Sequence, residues 1–353
     1  MISKRRFLSG LGGTAAATLL TRPARAAYPD RAIKIIVPGS PGGPTDVMAR
    51  LISQRLQQSL GQTVVVENRA GGGGSVAAKA AASAEPDGYT LLFCNTSIMT
   101  TIPAVAKRPE YNPVKDFSPI AKVSQSEQLL VLHPTVPPNS IKEFIAYCKA
   151  NPGKLNCAAT GYGGLPHLVA ESFKAKTGAD YAIIQYKGGG DSVTAVLGHQ
   201  VDMTFETTTI LLPHIREGKL KGLAVTSAAR NPQAPDIPTM VEVGVTDYVA
   251  PSFNGVVAPA GTPAGAIARL NETINEILKR PDVQAEIEKL GGQINVGTPA
   301  DFAAFIATEA RRWLDVADAN NIKVDLASNV VVFPTSACLG ARRPACAQGR
   351  AAR

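Results

Sequence analysis

Short apolar runs and stretches of helical period alternate along almost the whole chain. Runs rich in β-branched and aromatic residues occur at Ile33–Val37, Thr63–Glu67, Tyr89–Phe93, Gln128–Leu132, Leu155–Ala159, Ala182–Tyr186, Val201–Phe205, Gly222–Thr226 and Phe253–Ala258. Several are continuously apolar, the pattern of strands covered on both faces. Between them, Val47, Met48, Leu51, Ile52, Leu56 and Leu60 mark one side of a helix that Gly61 would stop. Ser140 with Glu143 forms a capping box ahead of Ile141, Phe144, Ile145 and Cys148. Thr262-Pro263 predicts an N-cap followed by proline at the first helical position, and Thr298-Pro299-Ala300-Asp301 repeats that start. The alternation predicts an α/β fold with mostly parallel sheets.

Two glycine-rich turns join strand to helix. Pro38-Gly39-Ser40-Pro41-Gly42-Gly43-Pro44-Thr45-Asp46 follows the first run, and Thr160-Gly161-Tyr162-Gly163-Gly164-Leu165-Pro166-His167 follows Leu155–Ala159. A turn of this kind presents free N–H groups and the positive end of a helix dipole to an anion. In α/β sheets ligands bind at the carboxyl ends of strands. The first wall of a cleft would then comprise Ser40, Gly42, Gly43, Thr45 and Asp46, completed by Thr96 and Ser97. The second would comprise Thr160, Gly161, Gly163, Gly164 and His167, completed by Tyr186-Lys187-Gly188, with Lys187 turned to solvent. Asp46 stands at a helix start, where it either braces the loop or receives a hydroxyl or ammonium group from a ligand. A third glycine run, Gly71–Gly74, leads into an alanine-rich helix suited to close packing, and either packs on a neighbour or contacts ligand.

The two ends of the chain differ from its body. Lys4, Arg5 and Arg6 precede an apolar small-residue stretch and the cleavage-type sequence Ala24-Arg25-Ala26, so 1–26 reads as a signal peptide. Ser3-Lys4-Arg5-Arg6-Phe7-Leu8 resembles a twin-arginine export signal with Lys4-Arg5 as the basic pair, which leaves the twin-arginine and general routes both open. The mature product is expected to be soluble and outside the cytoplasm. Residues 326–353 carry four arginines, no acids and no periodicity, and read as a disordered or non-domain tail.

This partition changes the meaning of the net charge. The chain carries +8, but its two ends hold nine cations and no acids, leaving 27–325 at −1. A near-neutral body has no electrostatic footprint for nucleic acid. Three cysteines lie in the body, and Cys148 and Cys157 flank a predicted turn, where they either bridge or serve as small buried hydrophobes.

Motifs of catalysis are missing. The sequence contains no G-x-x-x-x-G-K-[ST], no complete G-x-G-x-x-G, no G-x-S-x-G and no H-E-x-x-H. His133, His167, His199 and His214 show no metal-ligand spacing. No metal, cofactor or catalytic residue is expected. Donors sized for a carboxylate, without a base and nucleophile beside them, favour binding over turnover.

Ordered blocks then identify a family. They are Tyr28-Pro29-Asp30-Arg31-Ala32-Ile33, Pro41–Arg50, Val66–Gly72, Pro86–Leu91, Tyr186-Lys187-Gly188, Pro238–Gly244 and Pro259–Pro263. In this order and spacing, from about Tyr28 to Asp325, the chain resembles the periplasmic solute-binding proteins of tripartite tricarboxylate transporters, the TctC or Bug family. The resemblance implies a type II periplasmic binding fold: two α/β domains joined by two hinge crossings and closing like a clamshell. Applied here, domain one is roughly 28–126 plus 252–325, and domain two roughly 127–251. The resemblance also implies a small organic carboxylate held by amides of both loops, which marks Gly42, Gly43, Thr45, Asp46, Gly161, Gly163, Gly164 and His167. Its partners would be the inner-membrane subunits of a transporter, and the protein is expected to act as a monomer. The family often carries a bulky residue after the first proline of the loop. Gly39 stands there in this chain, which leaves a larger pocket or a gap for another side chain. Two other roles share the sequence: a ligand-binding sensor input for a signalling receptor, and a periplasmic hydrolase or isomerase using Asp46 or His167.

Overall fold

The computed structural model describes residues 28–319, 323–325 and 330–332. The expected signal peptide, and the expected tail apart from Val330–Val332, lie outside the described residues.

Continuous apolar runs form the central strands, which are covered on both sides. β1 (Ile33–Val37) leads into α1 (Pro44–Leu60), and β2 (Val64–Asn68), α2 (Ser75–Ala82) and β3 (Thr90–Asn95) follow. β1 pairs in parallel with both β2 and β3. Ile35 and Leu91 point into a core under α1, while Ile36 and Leu92 point into another under α2. Gly61 ends α1 in the left-handed conformation, as its sequence position predicts. A short α3 (Ile102–Val105) closes this part.

β4 (Phe117–Leu132) is the longest strand. After it come α4 (Ile141–Ala150), β5 (Asn156–Thr160), α5 (Leu165–Thr177), β6 (Ala182–Tyr186), α6 (Gly189–Leu197), β7 (Met203–Thr207), α7 (Thr208–Arg216) and β8 (Lys221–Val225). β5 pairs in parallel with β6 and β7. Cys157 and Ala158 again face two different cores. Cys148 and Cys157 are free, buried thiols. The Ser140 hydroxyl accepts the Glu143 N–H at 3.2 Å, while the Glu143 carboxylate takes the N–H of Asn139 at 2.8 Å.

β9 (Pro251–Pro259) returns the chain to the first half of the sheet, followed by α8 (Ala264–Leu278), α9 (Pro281–Lys289), β10 (Gln293–Ile294) and α10 (Pro299–Ala319). A hairpin of β11 (Lys323–Asp325) and β12 (Val330–Val332) comes last. The main sheet runs β2-β1-β3-β9-β4-β7-β5-β6, with β8 and β10 also on β4. The expectation of mostly parallel sheets needs correction, because every pairing made by β4 and β9 is antiparallel.

Those two strands hold the sheet together. Phe117–Glu127 of β4 lies along β9, and Gln128–Leu132 lies along β7 and β8. Each wing of the sheet therefore carries its own cores, with β4 passing from one wing to the other. α10 also spans the two: Phe302 and Ile306 pack in the first wing, Trp313 and Ala317 in the second. Thr298 caps α10, accepting the Asp301 N–H at 3.1 Å. The matching expectation for Thr262 fails, because Pro263 is the N-cap and the Thr262 hydroxyl donates to the Pro259 carbonyl at 2.8 Å.

Candidate functional site

The carboxyl ends of β1 and β3 face those of β5, β6 and β7 across a cleft at the β4 crossing. The helix starts of α1 (Pro44, Thr45), α5 (Leu165, Pro166) and α6 (Gly189) line it, together with Thr207, the N-cap of α7. First-turn N–H groups have no partner within their own helix, and their dipoles add at the same place. The site is thus an anion site made mainly of backbone. The cavity is about 60 Å³. A single water needs about 10–15 Å³, so the closed site has room for a handful of waters or a small acid.

Of the expected residues, Ser40, Gly43, Thr45, Asp46, Thr96, Ser97 and Thr160 line this cavity, as do Gly73 and Gly74 of the third glycine run; Lys187, expected to face solvent, lines it too. Thr45 Oγ1 accepts from Asn95 Nδ2 at 2.9 Å, and Thr96 Oγ1 accepts from the Phe253 N–H at 2.8 Å. The structure places Gly42, Gly161, Gly163, Gly164, His167 and Tyr186 beside the cavity rather than on its lining. Several of their backbone groups are already paired within the loops. The Gly42 N–H donates to Asp46 Oδ2 at 2.9 Å, Gly163 to His167 Nδ1 at 3.1 Å, and Gly164 to the Gly161 carbonyl at 3.0 Å. His167 is buried and holds its own loop, and the Tyr186 carbonyl accepts from the Gly161 N–H at 3.1 Å.

Asp46 is braced from three sides. Its carboxylate accepts from Gly42, from Arg50 Nε at 2.9 Å and from Asn68 Nδ2 at 3.0 Å. Burial alone would raise its pKa, but Arg50, Gly42 and Asn68 together hold it below the usual carboxylate range.

The two walls touch. Ser40 Oγ donates to Asp191 Oδ2 at 2.6 Å, and the Leu165 N–H donates to Ser97 Oγ at 3.0 Å. Gly188 lies so close to Ser40 that a Cβ there would sit 2.0 Å from Ser40 Oγ. Gly39 also lines the cavity, at φ +120, where only glycine is unstrained, and no atom lies within 4 Å of its missing Cβ.

Sequence reasoning did not single out Asn95, Gln128, Glu206, Thr207, Ser252 and Asn254, all of which line the cavity. Asn95, Glu206 and Thr207 lie at carboxyl ends of strands, so the rule that found Thr96 and Ser97 would have found them if applied to β7 as well. Gln128, Ser252 and Asn254 lie on the crossing strands and are buried polar residues within largely apolar runs. Glu206 is 2% exposed. Burial raises its pKa to about 7, against the opposing pull of bonds from Thr160, the Thr207 N–H and Ser192.

With the geometry in place, comparison with known proteins identifies the family. The model of the tripartite tricarboxylate transporter family receptor matches residues 48–322, and the chain belongs to that family. Three solved structures are similar to it. The periplasmic binding protein BugD is 34% identical, with a TM-score of 0.80, over 83% of this chain and 98% of BugD. Rpa4515 of R. palustris, solved with adipate, is 32% identical with a TM-score of 0.80, over 82% and 97% of the two chains. MatC from Rhodopseudomonas palustris, solved with bound malate, is 32% identical with a TM-score of 0.79, over 82% and 99%. The fold is therefore that of the TctC and Bug solute-binding proteins, a family of periplasmic binding proteins rather than enzymes.

Proposed function

We propose that this protein is a periplasmic solute receptor that captures a small organic carboxylate between its two wings and presents it to the membrane subunits of a tripartite transporter. The observation that carries this reading is the convergence of the α1, α5, α6 and α7 N-termini on one small cavity. Such a cavity accepts an anion mainly through backbone N–H groups, and among the described residues Lys187 is the one cationic side chain on its lining. The carboxylates bound by Rpa4515 and MatC support the same class of ligand. The basic, apolar and small-residue order of 1–26 supports export. The expected division, 28–126 plus 252–325 against 127–251, places the hinge on β4 and β9, with α10 as a third connection. Closure is a hinge motion driven by contacts that the ligand makes with both walls, and the protein releases its solute unchanged.

The test is a melting-temperature screen of protein freed of ligand by unfolding and refolding. At least one mono-, di- or tricarboxylate should raise the midpoint, as a ligand that binds only the folded state must. Indifference to every acid would remove the carboxylate reading. Loss of uptake of that acid when the adjacent membrane subunits are deleted would support transport, and unchanged uptake would contradict it.

A further inference from the structure

The cavity has two unlike poles. One is the helix start at Thr45, which favours negative charge, while the α6 start at Gly189 packs against the other. The other is the Glu206 carboxyl group. Glu206 Oε1 accepts from Thr160 Oγ1 at 2.5 Å and from Ser192 Oγ at 3.5 Å. Oε2 has only a long, 3.4 Å contact with the Thr207 N–H. Among the described residues Glu206 pairs with no lysine or arginine.

The acceptor character does not rest on Glu206 alone. Gln128, Thr207 and Asn254 line the same cavity and are each at least nine-tenths buried. Among the described residues, Gln128 Oε1, Thr207 Oγ1 and Asn254 Oδ1 have no hydrogen-bond partner. A buried acceptor without a donor costs about 1–3 kcal/mol.

We infer that Glu206, with Gln128 and Asn254, reads a hydrogen-bond donor on the ligand, so that the solute is a hydroxy- or amino-substituted carboxylic acid rather than a plain one. This rests on the carboxylate reading above and narrows it. The acid's carboxylate sits on the helix start at Thr45, and its hydroxyl or ammonium group donates to Glu206 Oε2. A plain acid of the same length leaves the acceptors unpaired. Sites built to bond a ligand hydroxyl or amine discriminate strongly against the analogue that lacks it.

The experiment is calorimetry on the refolded, ligand-free protein with matched acids: propionate, lactate and alanine; succinate, malate and aspartate; glutarate, 2-hydroxyglutarate and glutamate. In at least one series the hydroxy or amino acid should bind about tenfold or more tighter than the plain acid. Glu206→Leu should collapse that ratio to below about threefold, because the acceptor is gone. Glu206→Gln separates the two donors, since a neutral amide keeps a preference for hydroxyl and loses one for ammonium. If a plain acid binds as tightly as its substituted partners, or if Glu206→Leu retains the preference, this inference falls while the carboxylate reading stands. Tighter binding of a plain dicarboxylate that weakens as pH rises through 7 would also overturn it, since Glu206 would then be the donor. If no acid in a broad screen binds, both fall together. The wild-type ratio decides the matter should Glu206→Leu fail to fold.

Discussion

Ser40 on the first wall donates to Asp191 on the second, Oγ to Oδ2, at 2.6 Å. The two residues are 151 positions apart in the chain, on the α1 loop and in the first turn of α6, and under the proposed hinge motion the bond forms only when the cleft shuts. It is exposed, so its contribution is discounted from that of a buried charged bond to about 1 kcal/mol. Ser40→Ala and Asp191→Ala are each expected to weaken ligand binding about fivefold, mainly through faster release, and the double variant should lose little more than either alone. Stopped-flow dissociation kinetics on the three variants would check this.

Gly188 tests closure from the steric side. Its φ of −161 is extended backbone that any residue adopts, so alanine should not disturb the second wing. The new methyl group would meet Ser40 Oγ at 2.0 Å and the Ser40 nitrogen at 2.6 Å. Gly188→Ala should keep the melting temperature of the ligand-free protein within a few degrees while weakening ligand binding by at least about tenfold, because only the closed form is blocked. Small-angle scattering should show a variant that no longer contracts with ligand.

Asp46 is a brace whose removal has a defined pH signature. Its pKa is depressed in the folded protein, so its contribution is fully present above the unfolded value and is lost as pH falls through the folded one. Asp46→Asn should cost about 1–3 kcal/mol at pH 7. The variant and the wild type should converge in acid, as measured by urea unfolding across pH.

Glu206 behaves in the opposite sense. Its folded pKa is raised from 4.5 to about 7, so between those values the folded protein keeps a proton that the unfolded chain has released. Its contribution therefore falls as pH rises through that window and is constant above it. Glu206→Gln removes the effect. Relative to wild type, the variant should gain up to about 3 kcal/mol between pH 5 and pH 8 in urea unfolding.

Much of the fold was legible because strands buried on both faces are written as continuous apolar runs. Ile33–Val37 is such a strand, and Ala182–Tyr186, at the exposed sheet edge, also forms with the predicted ends. The first two-thirds of β4 was not legible, because Ser118, Lys122, Ser124, Ser126 and Glu127 interrupt its apolar pattern where it crosses between wings. Thr262 and Thr298 have the same local sequence, yet only Thr298 caps a helix, because the Pro259 carbonyl takes the Thr262 hydroxyl. At the site, the two glycine loops marked the correct strand ends. Loop sequence could not show that the Gly42, Gly163 and Gly164 N–H groups would be engaged by Asp46, His167 and Gly161, nor that α6 and α7 would begin at the same cavity. Those facts depend on how the wings meet.

The most direct test of the central claim is a crystal structure of the refolded protein with the tightest-binding acid from the screen. A carboxylate of the ligand should lie in the cavity against the first turn of α1, near Thr45, with the Ser40–Asp191 bond formed over it. An acid bound outside the cavity, or bound within it while Ser40 and Asp191 stay apart, would contradict capture between two closing walls.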